Sequence, residues 1–221
     1  DYESLEYLQK LATTIQADYG VTSSNLAMPH MPATGVSGLD LYALDKDGAW
    51  KWVAVTHPNA QQMKVEVISG LVEGAHDFAA YLPLYNGTTH LKIGVPRDAT
   101  FEPIAPRKEK PIVFYGTSIT HGACASRPGM AHVAILGRRL NRPVINLGFS
   151  GNGTMEETVG RFLVELDPAA YVVDCLPNMT ADVVTANTIP LVKQLRAARP
   201  GVPIVFVEDR TYPVGWLKKS L

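Results

Sequence analysis

Pro111-Ile112-Val113-Phe114-Tyr115-Gly116-Thr117-Ser118-Ile119-Thr120 is a dense apolar run that ends on a glycine and delivers a serine. A strand covered on both faces needs such a run, and parallel sheets bury their strands in this way. Comparable runs follow at Val144 to Leu147, Tyr171 to Cys175 and Ile204 to Val207. Between them, Met130 to Leu140, Met155 to Leu166 and Ala181 to Ala198 are long enough for helices, with Pro190 expected to kink or divide the third. Strand and helix in turn predict a three-layer α/β domain with a parallel sheet over residues 111–221. Ligands of such sheets sit at the carboxyl ends of the strands. Ser118, the turn from Asn146 to Gly153 and Asn178 all fall there.

Upstream the rhythm is different. Thr14 to Tyr19, Leu39 to Leu44, Trp50 to Val55, Met63 to Ile68, Asp77 to Leu82 and Leu91 to Val95 are short alternating runs. They are separated by turn pairs such as Asp47-Gly48, Ser69-Gly70 and Asn86-Gly87. Alternation with a period of two and close turns predict a β-sandwich of jelly-roll type over residues 1–106. The apolar spacing of Leu5 to Leu11 also suits a helix. The stretch from Glu102 to Pro111, rich in proline and charge, reads as the connector between the two domains.

Composition narrows the function. The chain has 221 residues, 46% of them hydrophobic, enough for real cores. Its 20 Lys and Arg against 21 Asp and Glu offer no basic stripe, which speaks against nucleic acid as a partner. No apolar run reaches the roughly 18 residues of a membrane span, so no membrane insertion is expected. Asp1-Tyr2-Glu3-Ser4 lacks the pattern of a signal peptide, and a first residue other than Met hints at a processed or excised segment. Cys124 and Cys175 are too few for a disulfide framework or, without histidine help, a zinc site; they read as two buried free thiols, with a disulfide between them as the alternative. No metal and no cofactor are expected.

A serine hydroxyl becomes nucleophilic when a base takes its proton and fixed donors hold the oxyanion. Ser118 lies in Gly-Thr-Ser-Ile-Thr, which is not the Gly-x-Ser-x-Gly elbow because residue 120 is Thr, and no Gly-Lys follows to make a P-loop. The turn Gly148-Phe149-Ser150-Gly151-Asn152-Gly153 puts glycines where a strand passes into a helix, so backbone N–H groups can approach an anion. A dinucleotide loop with Asp174 on a ribose is the alternative, although the glycine order is not G-x-G-x-x-G. Asn178, after Pro177, can donate its side-chain amide into the same pocket. Taken singly, these three are a helix cap, a tight turn and a turn asparagine.

Serine, glycine and asparagine on successive strand exits, in that order, resemble the SGNH hydrolases, the GDSL-type esterase and acylhydrolase superfamily. The resemblance runs from about Pro111 to the end of the chain. It implies Ser118 as nucleophile, with its own N–H, the Gly151 N–H and the Asn178 amide as oxyanion donors. Gly148 is the alternative glycine, but the spacing from Asn146 to Gly151 matches the family better. Thr117 stands where the family has the Asp of Gly-Asp-Ser, and Leu176-Pro177-Asn178 replaces Gly-Gly-Asn. The family's Asp-x-x-His block, which carries the base and its orienting acid, is absent from the 221 residues, so a final strand and helix are expected beyond Trp216 to Leu221, itself read as the start of a helix. His121, three residues after Ser118, is a poor substitute for the base. Further upstream, Gly38-Leu39-Asp40-Leu41-Tyr42 resembles the Gly-x-Asp-Leu-Tyr domain found ahead of one branch of these esterases. Leu39 and Leu41 alternate with Asp40 and Tyr42, which face the other way. Arg127 reads either as a contact for a polar substrate or as a surface ion pair.

The resemblance implies an ester hydrolase that removes acetyl or other short acyl groups from a carbohydrate, secreted or periplasmic. The rival is a non-catalytic glycan-binding protein with an incomplete α/β half. A nucleotide-binding oxidoreductase built on the 148–153 loop is a weaker one.

Overall fold

The computed structural model of the chain describes residues 5–10, 13–210 and 212–218, the first stretch by its backbone path. Two compact units form. One comprises Asp1–Glu109 with Gly122–Val144, the other Lys110–His121 with Ile145–Leu221.

The first unit contains strands β1 (Leu5–Lys10), β2 (Thr14–Val21), β3 (Asp40–Leu44), β4 (Trp50–Val55), β5 (Gln62–Ser69), β6 (Ala75–Tyr81), β7 (Thr88–Gly94) and β8 (Thr100–Pro103). They make a five-stranded sheet in the order β4-β3-β6-β1-β8 and a three-stranded sheet in the order β5-β2-β7, with antiparallel pairings. The alternation seen in sequence is realised on β2: Ile15, Ala17, Tyr19 and Val21 are buried, while Asp18 turns out to meet His90 at 3.0 Å. One apolar cluster joins these β2 residues to Leu39 and Leu41, Met63, and Phe78 and Ala80, so it draws on both sheets. Tyr19 keeps its hydroxyl satisfied inside it, 2.6 Å from the Thr56 hydroxyl.

One stretch that the sequence left open and one that it assigned to the connector form strands. Leu5–Lys10 is a strand, lying between β6 and β8 with Tyr7 opposite both Phe78 and Pro103. Pairing with distant strands outweighs a local apolar spacing that suits a helix. β8 occupies part of the proline-rich connector; it is an edge strand, the place in a sheet where a proline is tolerated.

Strands β9 (Ile112–Gly116), β10 (Val144–Gly148), β11 (Ala170–Asp174) and β12 (Ile204–Phe206) build a third sheet in the order β10-β9-β11-β12. β11 runs parallel to β9, with Tyr115 opposite Val173, and parallel to β12. Helices Glu157–Leu163 and Ala181–Ala198 pack on it. Their core includes Val113, Leu163, Tyr171, Val173, Leu191 and Leu195, each at most 1% exposed. The expected division of the last helix at Pro190 does not occur: it is one helix of 18 residues. Pro190 costs that helix a backbone bond, but its side faces solvent, and fully buried Leu191 and Leu195 hold the turns that follow it. Residues 213–217 form turns where a helix start was expected, and 219–221 lie outside the described residues. Both cysteines are free, but Cys124 is exposed rather than buried. It lies in the loop after residue 121 with φ +65°.

Candidate functional site

β9 ends at Gly116, and Ser118 is the first residue of a single helical turn, Ser118–His121. Thr117 builds that turn from within. It is fully buried, its hydroxyl accepts from the Ile119 N–H at 3.2 Å, and its carbonyl accepts from the His121 N–H at 3.0 Å. A threonine thus supplies the helix-capping oxygen at the position preceding the serine. Ser118 itself is half-buried.

Each neighbouring strand exit is tied to this turn. Thr120, also fully buried, donates its hydroxyl to the Asp174 carboxylate at 3.0 Å, joining the Ser118 turn to the end of β11. Asp174 is therefore occupied within the protein and is not presented to a ribose. Asn146 donates its amide to the Thr120 carbonyl at 2.9 Å and accepts from the Gly148 N–H at 3.0 Å. The Phe149 N–H bonds the Gly116 carbonyl at 2.9 Å. The loop after β10 is thereby laced to the loop after β9.

The two candidate glycines differ in what surrounds them. The Gly148 N–H is used by Asn146, and a Cβ there would overlap the His121 backbone. Gly151 has φ +73°, is exposed, and has nothing within 4 Å of where a Cβ would be. Asn178 ends a short 3-10 turn, Leu176–Asn178, and donates its amide to the Asn152 carbonyl at 2.7 Å. An amide NH2 has a second hydrogen to give. Residues 151 and 178 are thus linked through Asn152.

Below this loop sits a polar brace. The Tyr115 hydroxyl donates to Glu156, whose carboxylate also accepts from the Thr154 N–H at 3.0 Å. Burial raises the Glu156 pKa, but these donated bonds outweigh it and hold the carboxyl below its ordinary value. The Tyr115 ring meets Phe149 edge-on at 5.9 Å, so both ends of the loop rest on one tyrosine. Tyr115→Phe is expected to destabilise the fold by about 1–3 kcal/mol at neutral pH, since hydrogen bonds to charged groups are worth about that much. A lowered carboxyl pKa contributes stability above the unfolded value near 4.5 and loses it as pH falls. The difference between variant and parent in urea unfolding should therefore narrow below about pH 4. Cys175, beside the brace, is not a nucleophile: burial pushes its thiol up to about 12.

The structure thus sets Ser118, Gly151 and Asn178 on the exits of adjacent strands and ties their loops together. Sequence reasoning missed two positioning residues: Thr120, whose hydroxyl is spent on Asp174, and Gly153, where a Cβ would overlap the Gly116 carbonyl oxygen. The signal for them was the small-residue run that follows an apolar strand. Among the described residues, no group of three or more His, Cys, Asp or Glu side chains could hold a metal ion, and no helix is long and apolar enough to cross a membrane.

Known proteins share this fold. A candidate GDSL-like lipase from Bacteroides ovatus superposes with a TM-score of 0.92 at 33% identity, over 97% of this chain and 63% of its own. This chain therefore spans less than two thirds of that protein. A family two carbohydrate esterase from Clostridium thermocellum, solved with cellohexaose, shares the fold at 16% identity and a TM-score of 0.67, over 97% of this chain and 74% of its own. The salicylyl-acyltransferase of a tetracycline biosynthetic pathway shares it at 19% identity and a TM-score of 0.68, over 90% and 55%. Among curated proteins, none matches the chain. Residues 9–101 match the GxDLY N-terminus of SGNH-hydrolase-type esterases. Residues 109–221, the half that carries Ser118, match the GDSL-like lipase/acylhydrolase profile, and the chain belongs to that family.

Proposed function

We propose that the protein is a serine ester hydrolase that removes acetyl or another short acyl group from a carbohydrate through an acyl-Ser118 intermediate. The observation that carries this reading is the lacing of the strand exits. Asn146 holds the Ser118 turn, and Asn178 holds the loop of Gly151. In the reaction, Ser118 Oγ bonds to the acyl carbon and gives its proton to a base. The carbonyl oxygen becomes an oxyanion held by the Ser118 and Gly151 N–H groups and the Asn178 amide. The sugar alkoxide then leaves with a proton, and water releases the acid. This chain spans 63% of its Bacteroides ovatus relative, so the activity is proposed for the protein at its full length, with the base on the Asp-x-x-His block that the family resemblance implies. The carbohydrate class rests on the likeness to carbohydrate esterases.

Treatment of the full-length protein with a fluorophosphonate, followed by peptide mapping, is the test. A single adduct on Ser118 is expected. No adduct, together with binding of an unacylated oligosaccharide, would instead favour a glycan-binding protein. Asn178→Ala should lower kcat by about 10²- to 10³-fold with KM little changed, as loss of an oxyanion donor does. A raised KM at unchanged kcat would remove Asn178 from the oxyanion site.

A further inference from the structure

The Gly38–Tyr42 strand start has no part in the chemistry just described, yet its side chains do specific work. Leu39 and Leu41 enter the apolar cluster, while Asp40, on the opposite face, is fully buried. A buried carboxylate needs partners, and Asp40 has three. The Trp52 indole N–H donates to it at 3.0 Å, the Gly129 N–H at 2.8 Å, and Arg127 Nε lies at 3.6 Å. Arg127, which the sequence left as a substrate contact or a surface ion pair, forms an ion pair, but with a buried acid. Its guanidinium lies 4.6 Å over the Trp52 ring.

Tyr42 completes the arrangement. Its ring lies so close to Gly129 that a Cβ there would overlap it, which is why residue 129 has no side chain. The same ring carries Arg138, whose guanidinium is 4.1 Å above its centroid and donates to the Gly129 carbonyl at 2.7 Å. Gly129 is thus held at its N–H by Asp40, at its α-carbon by Tyr42 and at its carbonyl by Arg138. The adjoining chain is pinned too, since the Thr34 hydroxyl donates to the Ser126 carbonyl at 2.6 Å. The segment so held, residues 122–131, is the chain that leaves the Ser118–His121 turn directly.

We infer that the Gly38–Tyr42 stretch is a clamp on the Gly129 peptide, which orders residues 122–131 and thereby sets the reactivity of Ser118, with Asp40 and Arg138 as positioning residues. The first half of this inference stands on the clamp's own geometry. The second half rests on the ester hydrolase reading above. Asp40 touches neither substrate nor reacting atoms; it acts through the backbone it holds.

The test combines hydrogen exchange of the 122–131 peptide with the rate of fluorophosphonate labelling at Ser118, both in the full-length protein. Asp40→Asn keeps the shape but turns one acceptor into a donor facing donors. Arg138→Met opens the clamp from its other side at a partly exposed position, which covers the case in which the buried amide unfolds the protein. Exchange of 122–131 is expected to rise at least tenfold in each folded variant. Labelling should slow at least tenfold, and kcat should fall while KM holds. Unchanged exchange in both variants would overturn the clamp. Faster exchange with unchanged labelling would overturn the link to Ser118. A parent protein that takes no label and cleaves no ester, while exchange responds to both variants, would retire the hydrolase reading and its link to Ser118 and leave the clamp standing.

Discussion

Replacing Ser118 by alanine is expected to lower kcat/KM for ester hydrolysis by about 10⁴-fold or more, the scale seen when a nucleophile is removed from a laced catalytic unit. The side chain lost is small, half-buried and at the start of a turn built by Thr117, so the fold should be unaffected. Unchanged thermal unfolding alongside lost turnover of a p-nitrophenyl acetate and of an acetylated oligosaccharide would separate chemistry from stability. Turnover that survives the substitution would sink the acyl-Ser118 mechanism. Loss of turnover with retained binding of the oligosaccharide is the expected pattern, because only the bond-forming atom is removed.

The second large effect is expected from a residue with no functional group. Gly153 has φ +77°, and a Cβ there would overlap the Gly116 carbonyl oxygen and stand 3.2 Å from the Thr117 nitrogen. These are backbone atoms of the strand exit, which cannot move aside as the end of a side chain can. Gly153→Ala should cost about 2–4 kcal/mol, from left-handed strain together with overpacking. It should also lower kcat by roughly 10²-fold by displacing the peptide ahead of Ser118, since a misplacement of about 1 Å suffices for that. Gly151→Ala is the control. Its φ of +73° is nearly the same, but nothing lies within 4 Å of the added carbon. Only strain of about 1–2 kcal/mol remains. Equal unfolding midpoints for the two variants would mean that the contact with Gly116 carries no weight.

These two glycines show where sequence reading stops. Both belong to one Gly-rich turn, and no local pattern says which one faces open space and which is pressed against β9. The difference arises because Phe149 bonds back to Gly116 and folds the loop over it. The Leu5–Lys10 strand makes the same point at the level of the fold, since its spacing suits a helix and only its partners β6 and β8 decide otherwise. Pro190 is the converse case, a local breaker overruled by Leu191 and Leu195 in the core.

What the sequence determined by itself was periodic or chemical. Alternation marked β2, β4 and β5, dense apolar runs marked β9 to β12, and the order of serine, glycine and asparagine marked the candidate site, because each is a property of residues near one another in the chain. Tertiary structure alone decided the rest. Asp174 is tied to Thr120 across 54 positions and Asp40 to Gly129 across 89, and neither pairing leaves a trace in local pattern. Burial gives those pairings their force: a carboxylate taken out of water must find its donors wherever the fold brings them.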